Sequence, residues 1–200
     1  MFLKDILFPK ICLGCGSLGT FLCLKCQRKL KPIKNHTCFY CKKTSLFGLT
    51  HQSCLKKLPI DGVISIFYYD PLMREIIKNI KYRLVREVFD DLFKIIYPLL
   101  IDNLRLYKNL FFQALIQPIP LHKKRFNKRG FNQAKFFSEF LVKIFNLPIV
   151  DYLTRKKDTP FLAKLKTKKE RFLKIRGAFY FTGAKEEIKD KKIILVDDVI

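Results

Sequence analysis

The first residues able to do chemistry are cysteines. All seven fall within the first 54 positions, at Cys12, Cys15, Cys23, Cys26, Cys38, Cys41 and Cys54, and His51 stands three places before the last. Read in pairs, this is C-x-x-C four times over, with His replacing one Cys. Two ligands three apart on a tight turn present both side chains to one ion, and two such turns complete the tetrahedron that Zn(II) favours. Four pairs make two structural zinc sites, with every position filled by protein. Taking the knuckles in order, Cys12, Cys15, Cys23 and Cys26 hold one ion, and Cys38, Cys41, His51 and Cys54 the other. This closes the shorter loops, although a cross-braced pairing of the first knuckle with the third stays open. Gly14 and Gly16 relieve crowding where the first knuckle turns back on itself. A disulfide framework does not fit an odd number of cysteines, a histidine at the eighth place and an opening stretch interrupted by Lys4 and Asp5 rather than built as an export signal. His36 lies outside the knuckle register and reads as a loop residue.

Two acids form the second candidate group. Ile193-Ile194-Leu195-Val196 is an apolar run that ends in Asp197-Asp198. In open parallel sheets ligands collect beyond the carboxyl ends of strands. Paired carboxylates there accept hydrogen bonds from sugar hydroxyls or hold Mg(II) beside a phosphorylated ligand.

A third group is cationic. Lys123, Lys124, Arg125, Lys128 and Arg129 crowd around Phe126, and Arg171 follows later. Guanidiniums offer paired planar donors to phosphate, whereas lysines act as point charges. An aromatic between cations suits a single strand, whose bases stack while the charges track its backbone. Phe131 reads as core at the start of a helix and Phe126 as surface. His122 reads as a phosphate donor or a solvated residue, since no carboxylate lies near it in sequence.

The elements that position these groups follow from periodicity. Leu58-Pro59 and Asp61-Gly62 are turn signals that end the cysteine module, giving units at 1–58 and 59–200. Val63 to Tyr69 reads as a strand. Asp70-Pro71 opens a helix with Met73, Ile76, Ile77 and Ile80 on its buried face and Arg74, Lys78 and Lys81 on the other. A second helix runs from about Glu87 to Leu100, with Val88, Leu92, Ile95, Ile96 and Leu99 inward. A short strand at 114–120 precedes the basic loop, a helix spans about Asn132 to Phe145, and a further run occurs at Ile149-Val150. The apolar strand before the two aspartates reads as the buried middle of the sheet. Alternating strands and helices predict an α/β fold with a parallel sheet.

Charge narrows the function. The 200-residue chain carries 40 basic and 17 acidic residues, net +23. The excess sits at 1–58 (net +10) and 121–176 (net +13), around a nearly neutral stretch (net +1). Clustered cations release counterions from a phosphate backbone, so a polyanion partner is expected. The runs Ile95 to Ile101 and Leu110 to Ile116 are far short of the roughly 20 residues of a spanning helix, and a cytoplasmic protein with no transmembrane segment is expected.

Specific motifs sharpen this picture. Ile193 to Ile200 resembles the first eight positions of the 5-phosphoribosyl-1-pyrophosphate (PRPP) motif of type I phosphoribosyltransferases, which implies that Asp197 and Asp198 contact the ribose hydroxyls. The stretch from Pro118 through His122, Arg125, Arg129 and Gly130 to Ala134 is similar to the signature loop of the ComF family of competence proteins. Thr154-Arg155, Asp158-Thr159-Pro160, Glu170-Arg171 and Gly177-Ala178-Phe179 resemble that family's second conserved stretch, with Leu162 and Lys174 where the family usually carries Gln and Asn. The resemblance implies a zinc module joined to a phosphoribosyltransferase-like domain, incomplete here because the family's Thr- and Gly-rich phosphate loop comes after the position of Ile200. It further implies a role in natural transformation with single-stranded DNA, two Zn(II), and Mg(II) accompanying PRPP or a related sugar phosphate. An active phosphoribosyltransferase on an unknown acceptor is the alternative, and an adaptor docking other DNA-uptake proteins a third.

Overall fold

The computed structural model describes residues 9–83, 87–159 and 167–199. The two cysteine loops come first, each ending in one helical turn, α1 (Leu24–Gln27) and α2 (Gln52–Leu55). Helices α3 (Pro71–Arg83), α4 (Glu87–Ile101) and α5 (Leu104–Leu110) follow. After strand β1 (Leu115–Pro118) come α6 (Lys123–Arg129), α7 (Gln133–Phe145), β2 (Leu153–Arg155), α8 (Lys168–Ile175), β3 (Phe179–Phe181), α9 (Lys185–Ile188) and β4 (Ile193–Val196).

Helix α3 starts as its sequence dictates: the Met73 N–H donates to the Asp70 carboxylate at 2.9 Å, satisfying a donor of the first turn, with Pro71 leading the helix. Its stripe of Met73, Ile76, Ile77 and Ile80 is buried, as are Val88, Phe89, Leu92 and Ile96 of α4. Each such side chain contributes roughly 2 kcal/mol by leaving water. Helices α4 and α7 meet through paired rings. Phe89 and Phe93, one turn apart, stack on Phe136 and Phe140, also one turn apart, with centroids 4.8 and 4.2 Å away.

Strand β1 pairs in parallel with β4, Ile116 opposite Ile194 and Pro118 opposite Val196, and Ile149 bridges β1 on its other side. This is the expected parallel α/β arrangement. β2 and β3 form a separate antiparallel ribbon. Gln117, buried in β1, ties the two sheets together, because its side-chain oxygen accepts the Tyr152 N–H at 2.7 Å.

Three sequence expectations change. Residues 63–69 are extended but form no strand, because their backbone groups are spent piecemeal on the cysteine loops. Val63 N–H donates to the Gly48 carbonyl, Tyr68 N–H to that of Lys31, and the Ile66 carbonyl accepts from Ile33. The basic stretch after β1 is a helix rather than a loop, capped by His122, whose Nδ1 faces the Lys124 N–H, and stopped by Gly130 at φ 71°. Finally, β4 is not buried on both faces. Val196 packs inward with Ile194, while Leu195, at period two, is 56% exposed, and β1 is its only strand partner among the described residues.

Candidate metal centres and the carboxyl end of the sheet

The structure brings the donor atoms together in sequential order. The donor atoms of Cys12, Cys15, Cys23 and Cys26 lie within 4.8 Å of one another, and so do those of Cys38, Cys41, His51 and Cys54. A zinc tetrahedron with bonds of about 2.3 Å has edges of about 3.8 Å. Cys15 and Cys23 Sγ are 3.7 Å apart, and Cys41 Sγ is 3.3 Å from His51 Nδ1. The sets therefore fit Zn(II) in number, type and spacing. His51 Nε2 lies 3.1 Å from the Thr44 carbonyl. Donating there, it fixes the tautomer that leaves Nδ1 for the metal.

Neighbouring hydroxyl and N–H groups also prepare thiolates. Ser17 brings Cys15 down to about 6, and N–H groups of Cys41 and His51 bring Cys38 down to about 6. Burial pushes Cys26 up to about 12 and raises Cys54. Each cluster thus mixes thiols that ionise readily with thiols that need a dication to do so. His36 belongs to neither set and rests against Phe47.

At the carboxyl ends of β1 and β4 the two aspartates part company. Asp198 is half-buried and forms an ion pair with Lys81 of α3, Nζ to Oδ2 2.6 Å. Lys81, by periodicity a solvent-face cation of α3, therefore faces the strand end. Asp197 accepts the Asp198 N–H at 2.8 Å. Its side chain reaches water, yet the protein around it and then the Asp198 charge push its carboxyl up to about 7.

The cations divide as well. Lys123, Lys124 and Lys128 are exposed on α6, and Phe126 is 48% exposed, whereas Arg129 is only 7% exposed and donates to Gln133 at 3.3 Å. Arg125 pairs with Asp158 at 3.5 Å and donates to the Thr159 carbonyl. Arg155 donates to the Thr159 hydroxyl and lies over the Phe179 ring, while its buried Nε has no hydrogen-bond partner among the described residues. Burial, then Arg125, lowers the Arg155 pKa, against the charges of Asp197 and Asp158. Arg171 is exposed on α8. Pro160, Leu162 and Ile200 lie outside the described residues.

Sequence reasoning on the residues alone did not find Asp158, which stands 3.9 Å from His122 Nδ1, or the link from Lys81 to Asp198. Both partnerships join residues more than thirty positions apart, and no local pattern signals them. Arg155 entered only through the family resemblance; its place in a three-residue strand gave no periodicity to read.

The comparisons agree with the cysteine geometry. A double zinc ribbon domain matches residues 3–61. Competence protein F of Haemophilus influenzae is 26% identical over 181 residues, covering 90% of this chain and 78% of that protein. Competence protein ComFC of Bacillus subtilis is 25% identical over 192 residues, covering 89% of this chain and 71% of its own length. Along nine-tenths of its length the chain is thus similar to two competence proteins. No solved structure matches this chain. Among its described residues no helix is long and apolar enough to cross a membrane.

Proposed function

We propose that this chain acts in competence as a cytoplasmic protein that holds single-stranded DNA, beside a pocket for PRPP or a related sugar phosphate. The carrying observation is the exposed face of α6. It offers Lys123, Lys124 and Lys128 around the open Phe126 ring, in a chain similar over nine-tenths of its length to two proteins named for competence. Cations spaced around an aromatic serve phosphates and bases at once. We read 1–58 as the zinc unit and 59–200 as a phosphoribosyltransferase-like unit. A salt titration with a random oligonucleotide tests the DNA reading. The slope of log K against log salt is expected at about −0.7 per neutralised phosphate. A flat profile removes this reading and leaves an adaptor for other DNA-uptake proteins.

The phosphoribosyltransferase reading is favoured by the setting of Asp197, whose charge acts on Arg155 together with those of Arg125 and Arg129. A carboxylate for ribose hydroxyls beside guanidiniums for phosphate is the pairing that a sugar phosphate asks for. Mg(II) commonly accompanies pyrophosphate, and Asp197 is the acid of the pair with no lysine ion pair among the described residues. Calorimetry with PRPP and Mg(II) decides: Asp197→Asn is expected to abolish the heat, and an unchanged heat excludes the pocket.

A further inference from the structure

We infer that the tip of the second zinc ribbon, Cys38-Phe39-Tyr40-Cys41, is a stacking platform for the unpaired bases of a single strand. This rests on the single-strand reading above and extends it to residues outside the basic helix.

The leading knuckle of each ribbon carries two residues between its paired ligands, and the chain uses the two pairs differently. In the first they are Leu13 and Gly14; Leu13 is buried in the main core, and Gly14 lies against Leu72. In the second they are Phe39 and Tyr40, which are 40% and 45% exposed. Two neighbouring rings held out at a metal-fixed turn have no packing role comparable to that of Leu13.

The turn is also rigid. The Lys42 N–H donates to the Cys38 carbonyl and the Cys38 N–H to that of Lys43, both at 2.9 Å, and Thr37 bridges Thr44. Lys42 holds φ 63° to close it. Rings presented this way lose little freedom on binding.

Charge names the occupant. Lys42 Nζ sits 4.2 Å over the Phe39 ring and Lys57 Nζ 5.7 Å over that of Tyr40. Residues 32–60 hold Lys34, Lys42, Lys43, Lys56 and Lys57 and no acid. The ligands add little to oppose this, because three thiolates, a neutral imidazole and Zn(II) leave a single negative charge. A ring with an ammonium group over one face takes a base on the opposite face, and the same ammonium meets the adjoining phosphate. Duplex DNA keeps its bases stacked and offers such rings nothing, so the surface is matched to a single strand.

The test uses the zinc-loaded full chain with three probes: oligo-dT, a strand of the same length made of abasic residues, and a duplex. The Phe39→Ala, Tyr40→Ala double variant, checked for two bound zinc, is expected to lose about a hundredfold in affinity for oligo-dT, about tenfold per ring. Its affinity for the abasic strand and the duplex is expected to stay at the wild-type value. The protein has no tryptophan, so Phe39→Trp supplies a single reporter, whose emission oligo-dT is expected to quench and the abasic strand to leave unchanged. Wild-type affinity of the double variant for oligo-dT, equal losses on all three probes, or a reporter blind to oligo-dT overturns the platform alone. A wild-type chain that binds no strand overturns the single-strand reading and the platform with it.

Discussion

The two zinc sites have nearly the same ligand spacing and opposite surroundings. Around the first, Cys12, Leu13, Leu22, Cys26 and Leu30 belong to the same core as Met73, Ile76 and Ile80 of α3. Around the second, Cys38 and Cys54 are buried within their own loop, and a principal link to the body is Phe47, edge-on to Tyr107 at 5.5 Å. One site thus lies in the seam of the molecule and the other on an appendage. A zinc ion coupled to a large core transmits its binding energy to the whole fold, whereas one closing a local loop stabilises only that loop.

Serine substitutions put the largest strain on this contrast. Cys26→Ser is expected to lower the melting temperature of the α/β body by roughly 10 °C or more. Cys38→Ser should remove one zinc and leave that transition within about 2 °C. Circular dichroism melts with zinc counts check both, and equal losses would erase the distinction. Next in size is metal removal. Under a graded chelator the second site, with three thiolates rather than four and no core to lose with it, is expected to empty first. The measurement is two-step zinc release with helical signal lost only in the second step.

Gly14→Ala sharpens the contrast further. A Cβ there would come 2.7 Å from Leu72 Cδ1 and 2.8 Å from Cys26 Sγ. Overpacking of this kind costs about 1–3 kcal/mol, read as a lower melting temperature, with the second zinc unaffected.

The smallest effect lies away from both metals. The Asp197 carboxyl, raised to about 7 in the fold from about 4 in an unfolded chain, makes its ionised form unfavourable. That cost is fully present above pH 7 and absent below about pH 4, where both states hold the proton. Asp197→Asn is therefore expected to raise the melting temperature at about pH 8 and to leave it unchanged at about pH 3.5.

Much of this organisation is legible along the chain. Ligand type and spacing determine that two four-donor sites exist, since a C-x-x-C turn brings its own pair together without help. The Asp70-Pro71 start and the stripe from Met73 to Ile80 likewise specify α3, because capping and amphipathicity act within a few residues. The family resemblance added the order of the motifs around them.

Tertiary structure alone decided which zinc is built into the core, that Lys81 reaches Asp198, that Asp158 and Thr159 gather Arg125 and Arg155, and that 63–69 spends its backbone on the ribbons instead of a sheet. Each of these joins groups distant in sequence. Their energy comes from burial and Coulomb terms that exist only once the chain has closed on itself, so no local pattern records them in advance.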